Sequence, residues 1–293
     1  MTAATAEASG LRAPPAWRDV LVLLKLRIDA LVVCVALAAA AAAGTTSFQT
    51  LLVLAAACLL ASSGASALNH YVDRDRDACM SRTRRRPLPS GRIRPGVALW
   101  LGIALLAASL GTALPLGALP ALYLLCGALT YALVYSAWLK PRTPYSIVVG
   151  GAAGSFAALA GWQTGASTAS PAALLLAAVL FLWTPSHFWS LAIVLERDYR
   201  AAGLPMLSAL AGARRTADAV AANTAGLVAC SLALVPFVGW PYAALAVPAG
   251  AGYLVCTLSL RRRPDRDRAW RAFKLSGLYL LCLLAGLCLS IAS

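Results

Sequence analysis

Nine apolar runs constrain this chain more than any other feature. They fall near residues 21–43, 50–68, 96–113, 117–138, 145–164, 171–195, 217–238, 242–260 and 273–291. A helix crosses the hydrocarbon core of a bilayer with about 20 mostly apolar residues. In lipid every backbone N–H and C=O must be satisfied within the protein, so continuous runs of this length fold as helices. The expected fold is an all-α polytopic membrane protein with nine transmembrane helices. Only 12% of the 293 residues are charged, against about 25% in soluble domains, which excludes a soluble globular enzyme. Residues 1–20 carry Arg12, Pro14, Pro15, Arg18 and Asp19 without an apolar centre. They read as a cytoplasmic tail and not as a secretory signal. Residues 21–293 read as one transmembrane domain.

The charges fall on alternate sides of the runs. All 25 Lys and Arg lie in five places: the N-terminal segment through Arg27, 70–95, 139–145, 196–217 and 261–274. All 11 acidic residues lie in the same places or at their edges. The loops near 44–49, 112–119, 163–172 and 239–241 carry no charge. With nine spans the charged places share one side, and the positive-inside rule makes that side cytoplasmic. The expectation is an inner (plasma) membrane protein with its N-terminus in the cytoplasm and its C-terminus outside. The net charge of +14 sits beside membrane ends, where it meets anionic lipid. No soluble domain exists to present it to nucleic acid.

Behind the second run the chain reads Asn69-His-Tyr-Val-Asp73-Arg-Asp75-Arg-Asp77, continuing to Arg82-Thr-Arg-Arg-Arg86-Pro87. On a helix, steps of four drift only about 40° each, so Asn69, Asp73 and Asp77 form a ladder on one face. Asp75 points to the opposite face. Two carboxylates and an amide are hard oxygen ligands of the kind Mg²⁺ takes, with water and phosphate oxygens completing its shell. The arginines that follow are suited to grip the same phosphate.

A second cluster reads Trp183-Thr-Pro185-Ser-His187-Phe188-Trp189 and runs to Glu196-Arg-Asp198-Tyr199, Gly203, Pro205 and Met206. A third contains Tyr135, Trp138, Leu139-Lys140 and Gly150-Gly151-Ala-Ala-Gly154. On these three clusters the chain resembles the UbiA superfamily of intramembrane prenyltransferases, and within it the branch that farnesylates haem. The resemblance runs from about Lys25 to the last span. The chain departs from the usual pattern at Leu26, Ser186, Ala157 and Ala158, and Ala202 stands where the wider superfamily has a second aspartate after Asp198.

The resemblance implies a UbiA-type helical bundle whose active site opens to the cytoplasmic side. It implies Mg²⁺-dependent transfer of a farnesyl group from farnesyl diphosphate to a vinyl group of haem b (protoheme IX), giving haem O. Asn69, Asp73, Asp77 and Asp198 are then the candidate metal ligands. With Lys140 they form the candidate catalytic set. Arg82, Arg86, Arg27 and Lys140 are candidate diphosphate clamps. His187, Tyr135, Trp183, Phe188 and Tyr199 are candidates for the haem pocket. No c-type attachment motif is present, so haem is a substrate and not a covalent group. The lipid bilayer is a further partner, and the resemblance admits a haem A synthase as a protein partner.

Plainer readings stand beside these. Alternating Asp and Arg can be a solvated juxtamembrane face. His187 can be a hydrogen-bonded packing residue, although an intramembrane ionisable group is a functional candidate by default. Seven of the eight cysteines lie inside apolar runs and read as small hydrophobes. Cys79 lies beside the acidic ladder, among hard oxygen donors. Gly150, Gly151 and Gly154 read as close-packing positions. Trp100, Trp240 and Trp270 read as interfacial belt residues. Two other functions fit parts of the pattern: a UbiA-type prenyltransferase acting on an aromatic or quinone precursor, and a cation transporter using the carboxylate ladder. A transporter needs ionisable groups near mid-membrane and charge on both faces, whereas here both signs gather on one side.

Overall fold

The computed structural model describes residues 17–166 and 170–292. Residues 1–16 of the expected tail lie outside them; the remainder of that tail is helical. All nine apolar runs are helical, and no strand occurs among the described residues. In chain order the helices are α1 (Trp17–Leu24), α2 (Leu26–Ala42), α3 (Phe48–Ala78), α4 (Pro95–Ala113) and α5 (Ala118–Leu129). There follow α6 (Ser146–Gly150), α7 (Ala152–Trp162), α8 (Pro171–Val194), α9 (Glu196–Ala201) and α10 (Leu207–Leu232). The last three are α11 (Val235–Val238), α12 (Trp240–Arg262) and α13 (Arg266–Ala292). Seven helical stretches among the described residues, one of them α5 with its continuation to Leu139, are long and apolar enough to cross a membrane. The first and fifth runs form shorter helices, α2 and the α6–α7 pair. The chain is a multi-pass membrane protein.

Helix boundaries depart from the hydropathy where polar residues are sheltered. α3 continues ten residues past its apolar run, to Ala78, because its polar extension is itself buried on one face. The first run is interrupted at Lys25, whose φ of 53° is the only positive value at a non-glycine among the described residues. A left-handed residue there costs about 1–3 kcal/mol and turns the chain between α1 and α2. The fifth run is broken at Gly151. α10 starts ten residues ahead of its apolar run and is kinked at Gly212 (φ 78°).

The helices pack as a ring. α2 lies against α3, α3 against α4, α4 against α5, α5 against α7 and α7 against α8. The ring continues through α10 and α12 to α13, which returns to α2. α2 also packs on α7, where a Cβ on Gly161 would stand 2.0 Å from the Ala36 carbonyl oxygen. That approach is open only to glycine. The largest core cluster joins α2, α7, α8, α10, α12 and α13 around Trp183, Leu227, Tyr253 and Tyr279. The outer surface is apolar: Phe48, Trp100, Trp240 and Val255 are among its most exposed large side chains. This is the surface a bundle in lipid presents, since lipid tails are as apolar as the side chains that face them.

Beyond Leu129 the α5 helix continues as π-helix from Thr130 to Leu139. The wider i→i−5 winding is shown by the Lys140 N–H bonding the Tyr135 carbonyl at 2.8 Å. π-type winding is concentrated at functional sites. Here it turns Tyr131, Ser136 and Lys140 toward the polar end of α3.

Candidate active site

The polar end of α3 buries one face and exposes the other. Asn69, Asp73 and Asp77 are each at most 4% exposed, whereas the Asp75 side chain is 82% exposed. The four-residue spacing produces this separation directly. The Asn69 side-chain amide donates to Asp73 Oδ2 and to Ser136 Oγ, both at 2.8 Å. Lys140 Nζ, at the end of the π-helix, donates to Asp73 Oδ2 at 2.5 Å. Arg76 Nη1 lies 3.5 Å from Asp73 Oδ1. Arg86 Nη1 donates to Asp77 Oδ2 at 2.8 Å. Lys25 Nζ donates to Asn69 Oδ1 at 2.5 Å and to the Tyr131 hydroxyl at 3.2 Å.

Four basic side chains, Lys25, Arg76, Arg86 and Lys140, thus converge on two carboxylates and one amide. Buried carboxylates are tolerable only when paired in this way. The surplus of positive charge suits a site that receives an anion. The oxygen donors suit a hard divalent cation. Among the described residues no three His, Cys, Asp or Glu side chains form a cluster able to hold a metal. Two carboxylates and an amide fit a cation that brings phosphate oxygens and water as its remaining ligands, the habit of Mg²⁺.

Of the four expected metal ligands, Asn69, Asp73 and Asp77 share the buried face of α3, and Asp198 stands on a separate helix. Asp198, on α9, accepts from the Ser81 backbone N–H at 3.3 Å and from Ser81 Oγ at 2.7 Å. It ties α9 to the turn that follows the ladder, and among the described residues it shares no hydrogen bond or ion pair with Asp73 or Asp77. Arg27 is exposed and Lys25 occupies the cluster, because the break at Lys25 turns its side chain inward. Arg82 is also exposed. It lies close enough to Tyr199 to oppose the upward push that burial gives that phenol.

Below this cluster lies an apolar cavity of about 170 Å³. Val32, Ser62, Tyr131, Gly154, Trp183 and Phe188 are among its walls. Tyr131 belongs to both the polar cluster and the cavity, so the two are continuous. Of the haem-pocket candidates, Trp183 and Phe188 line this cavity. His187, Tyr135 and Tyr199 do not line the cavity. His187 turns toward α13, with Nδ1 2.6 Å from Ser276 Oγ, its ring stacked on Trp183 and tilted against Phe273. Tyr135 stacks on Tyr131 and packs over Gly150, where a Cβ would stand 2.8 Å from its ring. Tyr199 is buried with Met80, Leu204 and Met206. Gly151 meets the Phe181 carbonyl, a close-packing position, whereas Gly154 borders the cavity.

Several residues of the site escaped the sequence. Lys25, Arg76, Tyr131 and Ser136 carry no spacing signal of their own, since a helix break and a π-helix bring them in. Asp29, read as an edge charge of the N-terminal segment, is fully buried.

A membrane-embedded helical bundle with a basic, carboxylate-bearing mouth above an apolar cavity is built to handle a phosphorylated lipid-like substrate. Residues 30–284 match the profile described as the UbiA prenyltransferase family. The chain belongs to that family and is a prenyltransferase of it. It is 43% identical over 235 residues to protoheme IX farnesyltransferase 1 of Cenarchaeum symbiosum, covering 80% of this chain and 79% of that one. It is 40% identical over 278 residues to the protoheme IX farnesyltransferase of Alkalilimnicola ehrlichii, covering 92% and 91%. The fold is similar to that of a UbiA homologue from Archaeoglobus fulgidus bound to DMAPP and Mg²⁺, with TM-score 0.70 and 20% identity, over 92% of this chain and 99% of that one.

Proposed function

We propose that this protein transfers the farnesyl group of farnesyl diphosphate to a vinyl group of haem b, giving haem O for terminal oxidases. The observation that carries the reading is the continuity between the Asp73–Asp77 cluster and the apolar cavity through Tyr131, in a chain 40–43% identical to protoheme IX farnesyltransferases.

Asp73 and Asp77, with the Asn69 amide oxygen, would hold Mg²⁺. Bound there, the metal supplies charge neutralisation for the diphosphate as it leaves. Lys140 and Arg86 release Asp73 and Asp77, Lys25 releases the Asn69 amide oxygen, and all three take up the diphosphate oxygens. The mobile Lys and Arg stems permit this exchange without moving a helix. Asp198 fixes the turn at Ser81 and so sets the approach of Arg82 and Arg86. Farther in, the apolar cavity shields the allylic cation from bulk water. The faces of Tyr131 and Trp183 stabilise that cation, each by about 0.5–2 kcal/mol when desolvated. The reading places the mouth on the cytoplasmic side of the plasma membrane, with nine crossings. Its support is the absence of charge from the alternate loops.

The test is incubation of purified protein with Mg²⁺, farnesyl diphosphate and haem b, with products read by mass. Haem O should appear, and a chelator should stop it. Haem b recovered unchanged would contradict the reading.

A further inference from the structure

The proposed reaction needs a group to take a proton. Water adds to the inner vinyl carbon of haem and must lose a proton as it does so. None of the groups described above lies in the cavity as a base. Asp29 is buried in α2, one turn beyond Lys25, with 0% exposure. Its Oδ1 accepts from Ser62 Oγ at 2.6 Å and its Oδ2 from Ser63 Oγ at 2.6 Å. It has no ion-pair partner among the described residues. The two serines are not equivalent. Ser62 lines the cavity, alongside Ser66, Trp183 and Phe188, whereas Ser63 is buried behind it.

A clamp between α2 and α3 would need only neutral polar groups, which cost less to bury than a carboxylate. A carboxylate inside a membrane bundle, one hydroxyl away from a reaction chamber, has the position of a general base acting through a relay. We propose that Asp29, acting through the Ser62 hydroxyl, takes the proton from the water that adds to the haem vinyl group. The inference rests on the farnesyl-transfer reading above.

The step balances as follows. The C1–O bond of farnesyl diphosphate breaks, and its electron pair leaves with the diphosphate. The vinyl π pair forms the new bond from the terminal vinyl carbon to farnesyl C1. The inner vinyl carbon becomes electron-deficient, and a water oxygen bonds to it. The water proton passes to Ser62 Oγ as the Ser62 proton passes to Asp29 Oδ1. The products are the hydroxyethylfarnesyl haem, diphosphate and one proton; nothing is oxidised or reduced.

The experiment compares Asp29→Asn, Ser62→Ala and Ser63→Ala with wild type. Each is incubated with Mg²⁺, farnesyl diphosphate and haem b, with product masses and thermal melting both recorded. D29N and S62A should still join farnesyl to haem but shift the product toward an alkene lighter by one water, as the cation loses a proton instead of gaining a hydroxyl. S63A should give the wild-type proportion of alcohol. Should D29N fail to fold, S62A against S63A carries the same comparison. If S62A and S63A lose stability alike and both keep the wild-type product proportion, Asp29 is an interhelical clamp and the proposal fails. A wild-type protein that leaves haem b unmodified overturns the farnesyl-transfer reading, and this assignment with it.

Discussion

Lys140 and Asp73 meet at 2.5 Å although 67 positions separate them in the chain. The pair joins the end of the π-helix to the middle of the ladder on α3. It pairs a carboxylate that is otherwise buried, the condition under which a buried charge is tolerated.

The ladder predicts a strong asymmetry among three aspartates. Asp73→Asn and Asp77→Asn should each lower turnover by roughly 10²–10³-fold, the scale on which loss of one preorganised charge-stabilising group is felt. Asp75→Asn, on the exposed face, should stay within a few-fold of wild type. Steady-state rates at saturating Mg²⁺ check this, with membrane insertion measured in parallel. Equal loss from all three would contradict the facing.

The break at Lys25 predicts a second asymmetry. Lys25→Met should weaken farnesyl diphosphate binding, because its Nζ is in the cluster. Arg27→Met should leave binding close to wild type, because that side chain is exposed. Titration of the diphosphate substrate against each variant distinguishes them; the reverse order would return Arg27 to the site.

These pairs also mark how far the sequence could be read. The facing of Asn69, Asp73 and Asp77 follows from a spacing of four and survives in the structure. So does the helical state of all nine apolar runs, since lipid leaves the backbone no other local choice. Lys25 was hidden because a left-handed residue inside an apolar run has no compositional mark. Tyr131 and Ser136 were hidden because π-helical winding shifts which side chains share a face. His187 looked like a cavity residue from its neighbours Trp183 and Phe188, yet one helical position turns it to Ser276 on α13. Asp29 carries no mark of its own in the sequence, because its partners lie 33 and 34 residues away.

Close packing of α2 on α7 predicts a stability effect away from the site. Gly161→Ala puts a methyl group against the Ala36 backbone and should destabilise by about 1–3 kcal/mol, the range for overpacking. Gly226→Ala, with nothing within 4 Å, is the control and should melt near wild type. Thermal melting in detergent reads both.

The uncharged alternate loops predict topology. Reporters placed after residues 46, 115 and 293 should face the exterior, and those after 85, 142 and 205 the cytoplasm. A cytoplasmic C-terminus would break the nine-crossing account.

Gly154 borders the cavity with Leu180 at 3.8 Å. Gly154→Leu should fill that wall and reduce haem use more than farnesyl diphosphate binding. Separate titrations of the two substrates check the ordering, and an equal effect on both would contradict it.

The most direct test of the central claim is a competition. Purified protein with Mg²⁺ and farnesyl diphosphate is offered haem b and 4-hydroxybenzoate together, and the products are separated by mass. The account predicts haem O with the benzoate unmodified. A prenylated benzoate with haem b recovered intact would contradict it and assign the site to an aromatic acceptor.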